Sequence, residues 1–266
     1  MAFKRVVSLE IGKPQQKGVE ITNLRMRFTI RKSDSENKNT CEISVWNISP
    51  ETYALLQEPD VVCILRAGYE DEGGARPLFY GGVNYITVDR SKPDWEYRIY
   101  CHDGYRKAED REIRLSFSGG TSRQAIVDQI IKAYNLAIGK SERVPGKVDG
   151  GFTYSGHADG ALNKILDGTG LKARVHNELI YILKPGTYIT EFKLTPQTGL
   201  IGHPEMVKQE DQIYWRLRSV LYTDIIPDME LQVESRELTG FYKVKTVEYT
   251  GDTHGDDFSC AIEVER

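Results

Sequence analysis

Asp252, His254, Asp256 and Asp257 fall within six residues of one another in the segment "TVEYTGDTHGDDFSCAIEVE", residues 246–265. All four side chains can bind metal ions, and a carboxylate beside an imidazole is also a pairing used in general acid–base chemistry. The same composition serves a tight turn between two strands. Asp and Gly tolerate unusual backbone angles there, or bond their own backbone. An EF-hand calcium loop is not met, because the later bidentate Glu and the flanking helices are missing.

Other segments carry less chemistry. "SFSGGTSR" is Gly-Ser-rich ahead of a helix and resembles an anion cradle, but it lacks GxxxxGK[ST]. It reads better as a strand-to-helix loop with a cap. His102, His157, His176 and His203 are scattered and lack a nucleophile pattern, and GxSxG is absent. No pair of carboxylates forms a recognisable acid/base constellation. Cys41, Cys63, Cys101 and Cys260 show no CxxC spacing. Each falls on the apolar face of a strand-like run, so four reduced core thiols in a reducing compartment are expected. The sequence therefore predicts no catalytic, cofactor-binding or metal-binding residues.

The elements that hold these residues follow from periodicity. "LRMRFTI" places Leu24, Met26, Phe28 and Ile30 on one face and Arg25, Arg27 and Thr29 on the other, the period of a half-buried strand. "CEISVWNI" and "DVVCILRAGY" read as further strands, as do "LFYGGVNYITV" and "DWEYRIYC". "YEDEGGARP" is expected as a polar loop and "DRSKPD" as a turn. "NISPETYALL" predicts a short helix capped by Asn47 or Ser49, with Pro50 and Glu51 in its first turn.

The character changes near residue 105. "TSRQAIVDQIIKAYNL" is the best helix in the chain. Thr121 with Gln124 matches a capping box, and Ile126, Val127, Ile130, Ile131 and Tyr134 share one face. "GKSERVPGKVDGG" reads as a loop and "FTYSG" as a short strand. "HADGALNKILDGTG" is a second helix ended by Gly168 or Gly170. "LKARVHNELIYILKPG" is a hairpin turning at His176–Glu178. From about residue 191 the chain reads as β again, through "DQIYWRLRSVLY", "DMELQVE", "GFYKVKTVEYT" and "DFSCAIEVE".

The two β segments resemble each other. Pro59-Asp60 matches Pro227-Asp228, and Val83 and Ile86 match Val244 and Val247. Trp95, Tyr97, Ile99 and Cys101 match Phe258, Cys260, Ile262 and Val264. "SVWNISPE" corresponds loosely to "SVLYTDII". This repeat sets "GDTHGDD" at the hairpin position of "DRSKPD", which has no histidine and no ligand spacing. A turn accounts for both copies, and a metal site accounts for one.

The whole chain has 266 residues, 39% hydrophobic and 28% charged, with net charge −4. That length allows one large domain or two to three small ones, and the charge gives no general attraction to nucleic acid. No run reaches the roughly 18 apolar residues of a membrane helix. "MAFKRVVSLEIG" does not read as a signal peptide.

With the repeat in view, the sequence resembles the hub proteins of phage tail baseplates, which are related to the spike hubs of contractile injection machines. The resemblance is carried by "EISVWNISPETYALL", "VCILRAGYEDE", "SGGTSRQAIVDQIIKAYNL", "FTYSGHADGALNKILDGTGLKARVHNELIYIL" and "DMELQVESRELTGFYKVKTVEYTGDTHGDDF", in order along nearly the whole chain. It implies a mainly β fold with an α+β insert. Two tail-tube-like β-barrel domains, residues 1–104 and 191–266, would flank a small mixed α/β domain at 105–190.

It further implies a structural virion protein of the baseplate or tail tip. A homotrimer would present near-sixfold symmetry to the tail tube and threefold symmetry to a tip or spike. Its partners would be a tail tube or distal tail ring protein, a spike or fibre-attachment protein, and a tape-measure protein. Viral DNA would pass through without specific binding, and the chain would not insert in a membrane. It would be assembled in the host cytoplasm. Some hubs carry C-terminal hydrolase or receptor-binding modules, whereas this sequence ends just after the last strand of the second barrel, so that role is expected of another chain. No catalytic residues come with the resemblance. The alternatives are a small cell-wall hydrolase using the carboxylate/His cluster and a monomeric carbohydrate- or peptide-binding β module.

Overall fold

The computed structural model describes residues 4–14, 16–34, 39–103, 112–134, 137–176, 179–184, 191–209 and 212–266. The first segment runs β1 (Arg5–Gly12), β2 (Val19–Ile21), β3 (Met26–Ser33), β4 (Thr40–Trp46), α1 (Pro50–Leu56), β5 (Val62–Tyr69), β6 (Gly74–Asp89) and β7 (Glu96–His102). The middle contains β8 (Glu112–Phe117), α2 (Arg123–Tyr134), β9 (Ala137–Ser141), β10 (Phe152–His157), α3 (Ala158–Leu166), β11 (Lys172–His176) and β12 (Leu179–Leu183). The last segment runs β13 (Glu191–Leu194), β14 (Leu200–Gln209), β15 (Gln212–Val220), β16 (Glu230–Glu234), β17 (Thr239–Asp252) and β18 (Phe258–Glu265). The fold is mainly β with a small α+β insert. Among the described residues, no helix is long and apolar enough to cross a membrane.

The described residues form two compact units. One takes Asp103–Thr187, and the other combines Met1–His102 with Tyr188–Arg266. In the 103–187 unit, Ile126, Val127 and Ile130 of α2 and Leu162, Ile165 and Leu166 of α3 share one core with Ile180 and Ile182 of β12. The Tyr134 side chain and the turn residues Asn177 and Glu178 lie outside the described residues. The expected capping box does not form. The Ile126 N–H bonds Ser122, the Thr121 hydroxyl donates to the Ser118 carbonyl, and Gln124 reaches Val144 and Asp128. Part of the loop expected after α2 is instead β9, parallel to β12 through Ile138 and Ile180. In the first segment Ser49, not Asn47, caps α1 by accepting from the Thr52 N–H. The loop expected at "YEDEGGARP" shortens to a turn at Glu70–Glu72, and β6 starts already at Gly74.

The other unit is built on one sheet in which the repeat is visible at the level of register. The first segment orders its strands β3-β4-β7-β6-β5-β1-β2, and the last orders them β14-β15-β18-β17-β16-β13. β6 and β17 each bulge at an equivalent point. Val83 faces Cys101 and Tyr85 faces Tyr100 around one bulge; Val244 faces Val264 and Thr246 faces Glu263 around the other. Asp60 and Asp228, the matched residues of the two Pro-Asp pairs, have φ of 63° and 65°. After each, the next residue's carbonyl accepts from the matched valine: Val83 N–H to Val61 at 2.9 Å, Val244 N–H to Met229 at 3.0 Å. The looser match of "SVWNISPE" with "SVLYTDII" is off by one residue. Val45 faces Tyr97 and Ser219 faces Cys260, so Ser219 stands where Val45 does. The copies diverge at the far edge. β1 runs antiparallel to β5, but β13 runs parallel to β16.

The two copies are joined by β17 and β3. β17 pairs with β16 over Thr239–Lys243 and, past its bulge, with β3 over Thr246–Asp252. Phe28, Ile30 and Tyr249 are buried along this seam, and the Phe28 and Phe258 rings meet edge to face at 6.3 Å. The Tyr249 hydroxyl donates to the Ile225 carbonyl. Charges close one end. Asp34 takes Lys243 at 2.9 Å and Lys245 at 3.1 Å, and Asp228 also takes Lys243 at 2.9 Å. Gly251 faces Phe28 in the ladder, and a Cβ there would overlap the Phe28 ring. Gly251→Ala is therefore expected to cost about 1–3 kcal/mol of stability, read as a lower midpoint in denaturant unfolding. An unchanged midpoint would mean that the seam is looser than these contacts imply.

Candidate functional site

The "GDTHGDD" segment folds as the hairpin turn between β17 and β18. Asp252 is buried at its base. Its Oδ1 accepts from the backbone N–H of His254 at 2.8 Å and of Gly255 at 3.0 Å, and its Oδ2 accepts from Arg25 Nη2 at 3.0 Å. The Asp252 N–H bonds the Asp257 carbonyl at 2.8 Å. His254, Asp256 and Asp257 are exposed. Arg5 reaches the carbonyls of Gly255 and Asp256, leaving the Asp256 carboxylate out of the contact. The other copy makes the same kind of turn: Asp89 Oδ1 accepts from the Ser91 N–H at 2.9 Å. Among the described residues, no three His, Cys, Asp or Glu side chains are arranged to hold a metal ion.

Burial alone would raise the Asp252 carboxyl. The Arg25 guanidinium and the two backbone N–H groups outweigh it and hold the carboxyl below its ordinary value. Asp34 behaves alike, with Lys243 and Lys245 overcoming its burial. All four cysteines are free and buried. Cys41 faces Cys101 across β4 and β7, and the Cys101 thiol is pushed up by its hydrogen bond with Cys63 and by burial. Burial pushes Cys260 up to about 12. Such thiols are poor nucleophiles. Among the described residues the histidines do not gather. His102 lies on β7, His157 precedes α3 without a side-chain capping bond, and His203 sits 3.3 Å from Glu237 on an exposed edge. The His176 side chain lies outside the described residues.

The distinctive surface is the sheet itself. β14 ends the sheet, with β15 as its partner. β6 pairs with β5 up to Gly82; beyond its bulge, Tyr85–Asp89 has β7 on one side and, among the described residues, no strand on the other. Both edges carry exposed apolar groups, with Tyr85 51% and Met206 63% accessible. No alternation of residue types marks these edges, because an edge strand and a central strand with the same buried face look alike in sequence.

No protein-family model matches the chain, and comparison with curated proteins finds no relative. Solved structures do match. The 43 kDa tail protein of prophage MuSo2 from Shewanella oneidensis superposes with a TM-score of 0.70 at 10% identity, over 99% of this chain and 97% of its own. A tail protein from Neisseria meningitidis MC58 gives 0.67 at 10% identity, over 99% and 97%. The E. coli c3393 protein, a type VI secretion component structurally similar to the T4 tail proteins gp27 and gp5, gives 0.65 at 11% identity, over 96% and 76%. The chain therefore has the fold of these phage and prophage tail proteins.

Two substitutions separate the turn from a ligand site. His254→Ser with Asp256→Ser is expected to shift stability by less than about 1 kcal/mol, and Asp252→Ala to cost about 2 kcal/mol in denaturant unfolding. The folded carboxyl of Asp252 is depressed, so its contribution is complete above the unfolded value near about 3.9 and is lost as pH falls through the folded value. The gap between wild type and Asp252→Ala should therefore close on acidification below about pH 4. A metal ion lost on the double substitution would overturn the assignment.

Proposed function

We propose that the chain is a structural hub of a phage tail baseplate or tail tip, in which three copies close a ring. Residues 1–104 and 191–266 act as two tube-like copies, with 105–190 inserted between them in the sequence. The ring offers near-sixfold symmetry to a tail tube or distal tail ring protein and threefold symmetry to a spike or fibre-attachment protein. Its bore passes the DNA and accommodates a tape-measure protein. The chain acts in the virion tail after assembly in the host cytoplasm. The tail-protein identity of the similar structures supports this reading. A cell-wall hydrolase finds less support, since Asp252 is spent on Arg25 and two backbone N–H groups.

One observation carries the ring: the β17–β3 seam has an unfilled counterpart. Matching bulge to bulge sets Ile86, Thr87 and Val88 on Val247, Glu248 and Tyr249. Matching the β4 and β15 ladders sets Met206, Val207 and Lys208 on Ile30, Arg31 and Lys32. In the filled seam Val247, Tyr249, Ile30 and Lys32 are buried; in the open edges Ile86 and Val88 are half-buried, and Met206 and Lys208 are exposed. A β6 edge of one chain and a β14 edge of the next, paired in the β17–β3 register, put Val88 against Met206 and Thr87 against Val207. Such pairing repeats around a threefold axis until every β6 and β14 edge is matched, which reduces the aggregation hazard of an open sheet.

Residues directly opposite in an antiparallel pair bring their Cβ atoms to about 4.5–5.5 Å, near the range a disulfide needs. Thr87→Cys with Val207→Cys should therefore cross-link on mild oxidation into species of two and three chains and stop at three. The native thiols are buried and should stay out of the reaction. A ladder running past three chains, or a lone monomer band at the highest soluble concentration, would rule out the closed ring.

A further inference from the structure

The solvent face of the shared sheet is a lattice of paired charges and small hydroxyls. Register lines up Arg218, Ala261, Glu248, Arg31, Thr40 and His102 across six strands. Four of the guanidinium groups on this face, those of Arg27, Arg31, Arg98 and Arg216, lie beside carboxylates of the same face, while Arg218 reaches the Ser259 hydroxyl at 3.4 Å. Arg31 Nε meets Glu248 at 2.5 Å, and Arg216 Nη2 meets Glu263 at 2.9 Å. The Thr246 hydroxyl donates to the second Glu263 oxygen at 3.1 Å. Arg98 grips Glu96 through two nitrogens at 3.0 and 3.1 Å. The same carboxylate accepts from Ser44 at 2.7 Å and lies 3.7 Å from Arg27.

We infer that Glu96, Glu248 and Glu263 mask Arg27, Arg31, Arg98 and Arg216 on this face, so that a duplex polyanion moves along it without being held. The inference rests on reading this face as the wall of the ring's bore. A bare row of arginines would capture phosphates, because each free cation that meets one releases a condensed counterion and adds affinity. A carboxylate within hydrogen-bond reach cancels the local field and occupies the donors that would meet the phosphate. Most of the cations on this wall are therefore compensated locally by adjacent carboxylates. Between the pairs, Thr29 and Thr40 offer hydroxyls to either sign of charge. The compensation is local and distinct from the chain's net charge of −4.

The test is fluorescence anisotropy of a labelled DNA duplex with the full chain at about 50 mM salt, where phosphate contacts are strong. Wild type should give no binding. The triple variant Glu96→Gln/Glu248→Gln/Glu263→Gln should bind at least about tenfold tighter, with affinity falling steeply as salt rises. A control with the same charge change at exposed acids elsewhere, Glu20→Gln/Asp71→Asn/Glu72→Gln, should not gain. Equal gain by both variants would reduce the effect to net charge and overturn the inference. So would a folded triple variant that fails to bind, or wild-type binding that Arg31→Ala/Arg216→Ala abolishes. The measurement does not need the ring. A sample whose mass shows no trimer but whose masking holds refutes the assembly alone, and the reverse result refutes the masking alone.

Discussion

Everything else in the 1–102 and 188–266 unit hangs on one strand serving two neighbours. β17 begins beside β16, its partner within the same copy, and ends beside β3 of the other copy. The handover falls at the bulge. Pairing to β16 stops at Lys243, the bulge lies between Val244 and Thr246, and pairing to β3 starts at Thr246. A bulge adds a residue to one strand, bends it and increases its twist. That is the change needed to steer a strand off one neighbour and onto another. β6 makes the same departure, leaving β5 at Gly82 just before its own bulge. Among the described residues the device is present twice and is filled once.

The filled seam is specified by charge as well as by packing. Asp34, Lys243, Lys245 and Asp228 form a poorly hydrated cluster, and Arg31 pairs with Glu248 across the same ladder. Ion pairs of this kind add little net stability, because desolvation offsets most of the Coulomb gain. Their effect is on wrong partners, each of which would leave a buried charge unmatched. On the open edges Thr87 stands in for Glu248 and Val207 for Arg31, so the counterpart seam is neutral where the internal one is charged. In the proposed ring, an edge made for one seam would be a poor substitute in the other, and this difference would fix the order in which copies follow one another.

Much of the fold was legible because a half-buried strand alternates with period two. Met26, Phe28 and Ile30, or Phe258, Cys260 and Ile262, declare their face without help from the rest of the chain. The repeat could be read because its anchors, a Pro-Asp pair and a bulge valine, meet local backbone demands. Other features were hidden for physical reasons. β14 breaks its alternation with an irregularity between Ile201 and Glu205, in a stretch holding Gly202 and Pro204. β9 is short and exposed along its whole length, so only its pairing with β12 makes it a strand. The one-residue slip in the "SVWNISPE" match shows the limit of short similarities, since a shift of one exchanges the faces of a strand. Asp252 looked like a ligand because a carboxylate that gathers two backbone N–H groups and an arginine is the same residue type, in the same kind of turn, as one that gathers a metal.

The pattern of divergence between the copies argues for what the duplication maintains. Strand order agrees for β3-β4-β7-β6-β5 and β14-β15-β18-β17-β16, together with the bulge and the left-handed Asp. Beyond that core the copies part: β13 runs opposite in sense to β1, and α1 is followed by no counterpart among the described residues of the last segment. Two copies kept only for their separate cores would have no need to share the position of a bulge, because a core tolerates many registers if its volume is filled. Two copies that must each offer the same edge at the same angle do need it. The agreement therefore concentrates in the strands that meet a neighbour and in the residue that turns them toward it. A lysine, costly to bury at position 32, recurs at position 208 on the edge still open.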